Sequence, residues 1–136
     1  MENKKRCLYK RLDNGIHEYV FTESSNAAVD AWIDWLDSTS AQGVIPEDNV
    51  DRILFDTRQC GPLPMYYAFK RLSEWRKANP DYDQSRMTRT AQLYKSNSFY
   101  TTMAKNLLKV FPIPSAKMEY FLDDREAAIA WLLKND

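Results

Sequence analysis

The sequence predicts an α/β domain built on a mixed five-stranded sheet, its elements in the order β-β-α-β-α-β-α-β-α. Three observations carry that prediction. Asn14-Gly15 closes two short strand-like runs into a hairpin, and every later strand-like run is separated from the next by a stretch of helical periodicity. The run Ile53-Leu54-Phe55 is apolar without alternation, the pattern of a strand covered on both faces. A tight turn joins antiparallel strands, whereas right-handed helical crossovers place the strands they join parallel.

Taken in order, Cys7 to Leu12 and Ile16 to Thr22 read as the two strands of the hairpin, and Asn14-Gly15 supplies the positive φ values that a tight turn demands. Ser24, Ser25 or Asn26 then caps a helix. Its Val29, Trp32, Ile33 and Leu36 fall on one face, and Gly43 and Pro46 end it. Arg52 to Asp56 is the buried strand. After the loop Thr57 to Pro64, a second helix starts near Pro64, where proline is tolerated in the first turn. Met65, Phe69, Leu72 and Trp75 form its apolar stripe, and Asn79-Pro80 stops it. Arg86 to Tyr94 reads as a largely buried strand. Ser96-Asn97-Ser98 caps a third helix carrying Phe99, Tyr100, Met103, Leu107 and Leu108. Lys117 to Phe121 alternates as the last strand. Asp123, with Glu126 three positions on, opens the final helix in the manner of a capping box, and Ala128, Trp131 and Leu132 face the core.

The 136 residues fit a single domain over 1–136, and 44% hydrophobic content is enough for one buried core. No run approaches the roughly 20 apolar residues of a membrane span, and no apolar stretch follows the charged start Met1 to Arg6 as a secretory signal requires. Cys7 and Cys60 lack the spacing of a metal or redox motif, so a reducing cytoplasm is the expected compartment. Net charge is zero but uneven: −8 over residues 12–69 against +7 over residues 70–117. Neutrality disfavours nucleic acid as a partner; the asymmetry fits either a dipolar surface that meets an anionic partner with one face or helix exteriors that are simply acidic early and basic late. Phosphate-loop, dinucleotide and zinc-protease motifs are all absent from the sequence.

The stretch Phe121-Leu122-Asp123-Asp124-Arg125-Glu126-Ala127-Ala128-Ile129-Ala130-Trp131-Leu132 resembles the ending common to the STAS-like fold, in its SpoIIAA-like (STAS/SEC14) branch. Together with the element order and the strand ending Phe55-Asp56, the resemblance covers essentially the whole chain. It implies a STAS/SpoIIAA-like domain that is not an enzyme, needs no cofactor, and works as a binding or regulatory module. The implied partner is a protein or a hydrophobic, lipid-like ligand, and peripheral membrane contact and homo-oligomers are compatible with it. Anti-sigma factor antagonists of this fold carry a phosphorylatable Ser or Thr in the loop after the central strand. Here that loop reads Asp56-Thr57-Arg58-Gln59-Cys60-Gly61-Pro62, with no Ser at the helix start, and no phosphorylation switch is expected in it.

Ligands of open α/β sheets sit at the carboxyl ends of parallel strands, beside helix N-termini. That rim gathers Asp56, Thr57, Arg58, Gln59, Cys60 and Gly61 after one strand, and Tyr94, Lys95, Ser96 and Asn97 after the next, with Arg58 and Lys95 as the cations for an acidic head group. Tyr66, Tyr67 and Met103 are the candidates to line an apolar part, as members of an aromatic and methionine stripe that also suits simple core packing. Tyr66 and Tyr67 are consecutive, so both cannot point inward from one helix. Two rival readings remain. One is a small enzyme using Cys60 or Asp56, for which His17 is the only histidine. The other is a structural, homo-oligomerising domain.

Overall fold

The computed structural model describes residues 5–40, 50–80, 87–95 and 116–134. Within them the chain runs β1 (Cys7–Arg11), β2 (His17–Phe21), α1 (Asn26–Ser40), β3 (Val50–Asp56), α2 (Met65–Ala78), β4 (Met87–Tyr94), β5 (Ala116–Leu122) and α3 (Arg125–Leu132). The third helix expected after Ser96, with Phe99, Tyr100, Met103, Leu107 and Leu108, lies outside the described residues, as do Gly43 and Pro46.

The five strands form one sheet in sequential order, β1-β2-β3-β4-β5. β1 and β2 are antiparallel, and β2, β3, β4 and β5 are parallel neighbours. β3 is central, as its unbroken apolar run requires, and Leu54 is fully buried. Because the strands advance in one direction, right-handed crossovers put α1 and α2 on the same face of the sheet. There they pack against each other and against Tyr19, Phe21 and Phe55. Trp32 meets Phe55 edge-on, ring centroids 5.0 Å apart. α3 covers the opposite face over β3, β4 and β5, where Ile16, Leu54, Ala91, Leu93, Ala128 and Leu132 make a second, smaller core.

Local chemistry sets the joints, and twice it does so differently from expectation. Among the described residues Asp123 alone has a positive φ outside glycine, so Asn14 does not share the left-handed role with Gly15. The hairpin instead uses a three-residue loop ending in left-handed Gly15 (φ +86), whose N–H donates to the Leu12 carbonyl at 2.9 Å. Asn14 contributes through its side chain, which accepts from the Ile16 N–H at 3.2 Å. At α3 the cap is Asp124 and not Asp123: the Asp124 carboxylate accepts the Ala127 N–H at 3.0 Å. Asp123 takes the left-handed turn that precedes the cap (φ 49). α1 starts as expected, Ser25 Oγ accepting from the Ala28 N–H at 3.1 Å, and α2 follows Pro64.

Candidate functional site

The carboxyl-end rim is bonded largely to itself. Thr57 is buried, and its N–H and hydroxyl both donate to the Leu93 carbonyl, at 2.9 and 3.2 Å, which ties the end of β3 to β4. Its carbonyl in turn accepts from the Cys60 and Gly61 N–H groups, closing a turn that needs Gly61 in the left-handed region (φ +77). Arg58 folds back on Asp56 with a two-pronged contact, Nε to Oδ1 at 3.1 Å and Nη2 to Oδ2 at 3.0 Å. It also reaches Asp123 at 3.2 Å. The hydrogen bond to Asp56 is the main cause that holds its guanidinium above its ordinary pKa, so its charge is balanced within the protein. Gln59 and Lys95 are exposed, and Tyr94 is half-buried against the α1/α2 core. Ser96, Asn97 and Met103 lie outside the described residues.

Cys60 is half-buried, and burial pushes its thiol pKa up to about 11, with the Asp56 charge adding to the rise. His17 begins β2 and pairs in register with Ile53, while Cys60 follows the far end of β3. The three residues from Ile53 to Asp56 already span ~10 Å along the strand. His17 Nδ1 lies 2.8 Å from the Tyr9 hydroxyl. The two groups therefore belong to opposite edges of the sheet.

Of the consecutive tyrosines, Tyr66 is 62% exposed. Tyr67 donates its hydroxyl to Asp30 Oδ1 at 2.7 Å, and Arg71 Nε meets the same oxygen at 3.0 Å. This contact fastens α2 to α1 and, through the hydrogen bond to Asp30, raises the phenol pKa. Neither tyrosine lines the cavity that α2 helps to form.

The cavity lies elsewhere, between α1 and α2 on one side and β3, β4 and β5 on the other. It offers about 90 Å3 of space and is partly open. Trp32, Leu36, Ile53, Phe55 and Leu63 wall it, and α2 adds Met65, Ala68, Phe69, Leu72, Trp75 and, at the end of the helix, Arg76. Its floor is Thr88, Thr90 and Gln92 of β4, with Met118 of β5 beside them. Strand geometry explains the floor, because alternate residues share a face. Thr90 and Gln92 are buried, and Gln92 Nε2 points at the Met118 sulfur at 3.9 Å. Trp75 is fixed at the edge by its indole N–H, which donates to Asp37 at 3.3 Å.

The methionine and aromatic stripe thus divides in space: Met65, Phe69 and Trp75 line the cavity, while Tyr66 is exposed and Tyr67 packs at the core's margin with its hydroxyl on Asp30. The floor escaped sequence reasoning. Its signal was present in the sequence, since Thr88, Thr90 and Gln92 alternate in a strand flanked by helices, where Val or Ile is the ordinary choice. Among the described residues no group of His, Cys, Asp and Glu is arranged to hold a metal ion, and no helix is long and apolar enough to cross a membrane. No protein-family model, no curated protein and no solved structure matches the chain.

Proposed function

We propose that this chain is a non-enzymatic binding module of the STAS/SpoIIAA-like kind, and that it holds a compact hydrophobic ligand in the cavity between α1, α2 and the sheet. The observation that carries the reading is the lining: aromatic walls from Trp32, Phe55, Phe69 and Trp75, with Met65 and Met118 as adaptable side chains around them. Ligand sites are concave and mostly apolar, with a few polar groups that fix orientation. The sequential sheet and the acidic start of α3, with Leu132 on its buried face, support the resemblance. In this reading the chain acts in the cytoplasm and by binding alone. A thiol protonated up to about pH 11 is a poor nucleophile at neutral pH, which weighs against a Cys60 enzyme.

Xenon or benzene tests the cavity directly, because both enter dry apolar cavities. Added to the purified protein, either is expected to shift the NMR signals of the Trp32 and Trp75 indoles and of the Met65 and Met118 methyl groups. Ala68→Leu fills the space and is expected to abolish those shifts while the protein stays folded. Wild-type protein whose cavity signals do not respond refutes the reading.

A further inference from the structure

Within that reading of the cavity, on which this step rests, we infer that the ligand is electrically neutral. It has a short branched or cyclic apolar body and one hydrogen-bonding group, an alcohol, ketone or primary amide, recognised by Thr90 and Gln92. Thr90 is only 5% exposed and Gln92 7%. Polar groups buried to that degree are nearly always hydrogen-bonded. Among the described residues, however, the Thr90 hydroxyl meets no hydrogen-bond partner, and Gln92 spends one amide N–H on the thioether of Met118, a weak acceptor. Both side chains line the cavity, so its contents are what their remaining hydrogen-bonding capacity can meet. A plain core gains nothing from this polarity, since Val in place of Thr90 keeps the shape and removes a group that must be desolvated.

Charge decides the class of ligand. No carboxylate lines the cavity among the described residues, and its one charged lining residue, Arg76, stands at the end of α2 and engages other groups of the protein as well. Asp51 is buried on the same face, two positions before Ile53 and in register with Thr88. An ammonium entering here loses its water and meets the like charge of Arg76, and a carboxylate loses its water and meets a cation already engaged with other groups of the protein. Burying either ion costs far more than burying an amide or hydroxyl that finds a partner. Volume decides the size. About 90 Å3 is of the order of, though smaller than, the ~150 Å3 dry cavity that takes up benzene, which suits a body of a few carbons as the buried part of the ligand.

Four isosteres separate the alternatives: 3-methylbutanamide, 3-methylbutan-1-ol, 3-methylbutanoate and 3-methylbutylammonium, titrated by NMR at pH 7, with xenon as the probe that carries no polar group. The amide or the alcohol is expected to bind at least tenfold more tightly than either ion. Thr90→Val combined with Gln92→Met is expected to weaken the amide at least tenfold and leave xenon uptake unchanged, which also shows that the variant retains the cavity. Ions that bind as tightly as the amide overturn the inference, and so does a double variant that binds the amide as well as wild type. If xenon enters but no isostere does, Thr90 and Gln92 serve only ordered water and the inference falls while the cavity reading stands. If xenon fails to enter wild type, the cavity reading falls first.

Discussion

β4 shows two treatments of polar side chains within eight residues. On the α3 face, Arg89, Ala91 and Leu93 meet a close-packed surface. Arg89 donates to the Trp131 carbonyl at 2.7 Å and its guanidinium lies 4.3 Å from the centre of the Trp131 ring. Arg52, in register with it on β3, donates to the Leu132 carbonyl at 2.6 Å. Both arginines thus meet carbonyls at the C-terminus of a helix, where cations are favoured. On the α1/α2 face of the same strand, Thr88, Thr90 and Gln92 floor a cavity. Polarity on the first face fastens a helix, and polarity on the second stands open toward a space. The comparison teaches that burial alone does not identify a structural residue; what its polar atoms meet does.

The largest expected effect tests the sheet that separates the two faces. Leu54→Asp places a carboxylate at a fully buried position of the central strand. It is expected to cost more than about 4 kcal/mol and to leave the chain unfolded, as read by circular dichroism at 25 °C. A cooperative unfolding transition near wild type refutes the central, doubly covered placement of β3.

The next pair contrasts the faces. Arg89→Ala removes a charge-assisted hydrogen bond and the packing on Trp131, and is expected to cost about 1.5 to 3 kcal/mol in urea unfolding. Thr90→Val, an isosteric change one residue further on, is expected to be neutral or stabilising within about 0.5 kcal/mol, because the hydroxyl it deletes has no protein partner among the described residues. Equal losses at the two positions erase the distinction.

Smaller still is the cap of α3. Asp124→Ala frees the Ala127 N–H and is expected to cost about 1 kcal/mol, whereas Asp123→Ala leaves that cap intact. If Asp123→Ala proves the larger loss, the strain of Ala in a left-handed turn and the lost contact with Arg58 outweigh the cap. The last test concerns rate and not stability. With its thiol raised to about 11, Cys60 is protonated at neutral pH, so alkylation by iodoacetamide is expected to be slow at pH 7.5 and to keep accelerating beyond pH 9. A rate that levels off below pH 9 contradicts the burial assigned to it.

Local signals were legible along the chain because they act between residues a few positions apart. The helix face of Val29, Trp32, Ile33 and Leu36, the cap at Ser25 and the proline before α2 all appear where the sequence put them. Even there the choice between neighbours was settled in three dimensions: Asp124 and not Asp123 caps α3, because the cap must follow the residue that absorbs the left-handed turn. The rim was also legible as a cluster, since loops after parallel strands fall on one edge. That Arg58 spends its charge on Asp56 and on Asp123, 65 positions away, was not.

By itself, then, the sequence determined the types of the described elements, the parallel part of the sheet and the burial of Leu54 and Phe55, all of which follow from periodicity and turn chemistry. Only the tertiary structure decided that the strands run in simple sequential order and that α1 and α2 share a face. It also decided that a cavity lies beneath α2. A cavity is the volume that side chains from α1, α2, β3, β4 and β5 fail to fill. No segment of sequence encodes it, because it depends on the distances and facing angles between elements that meet only after folding.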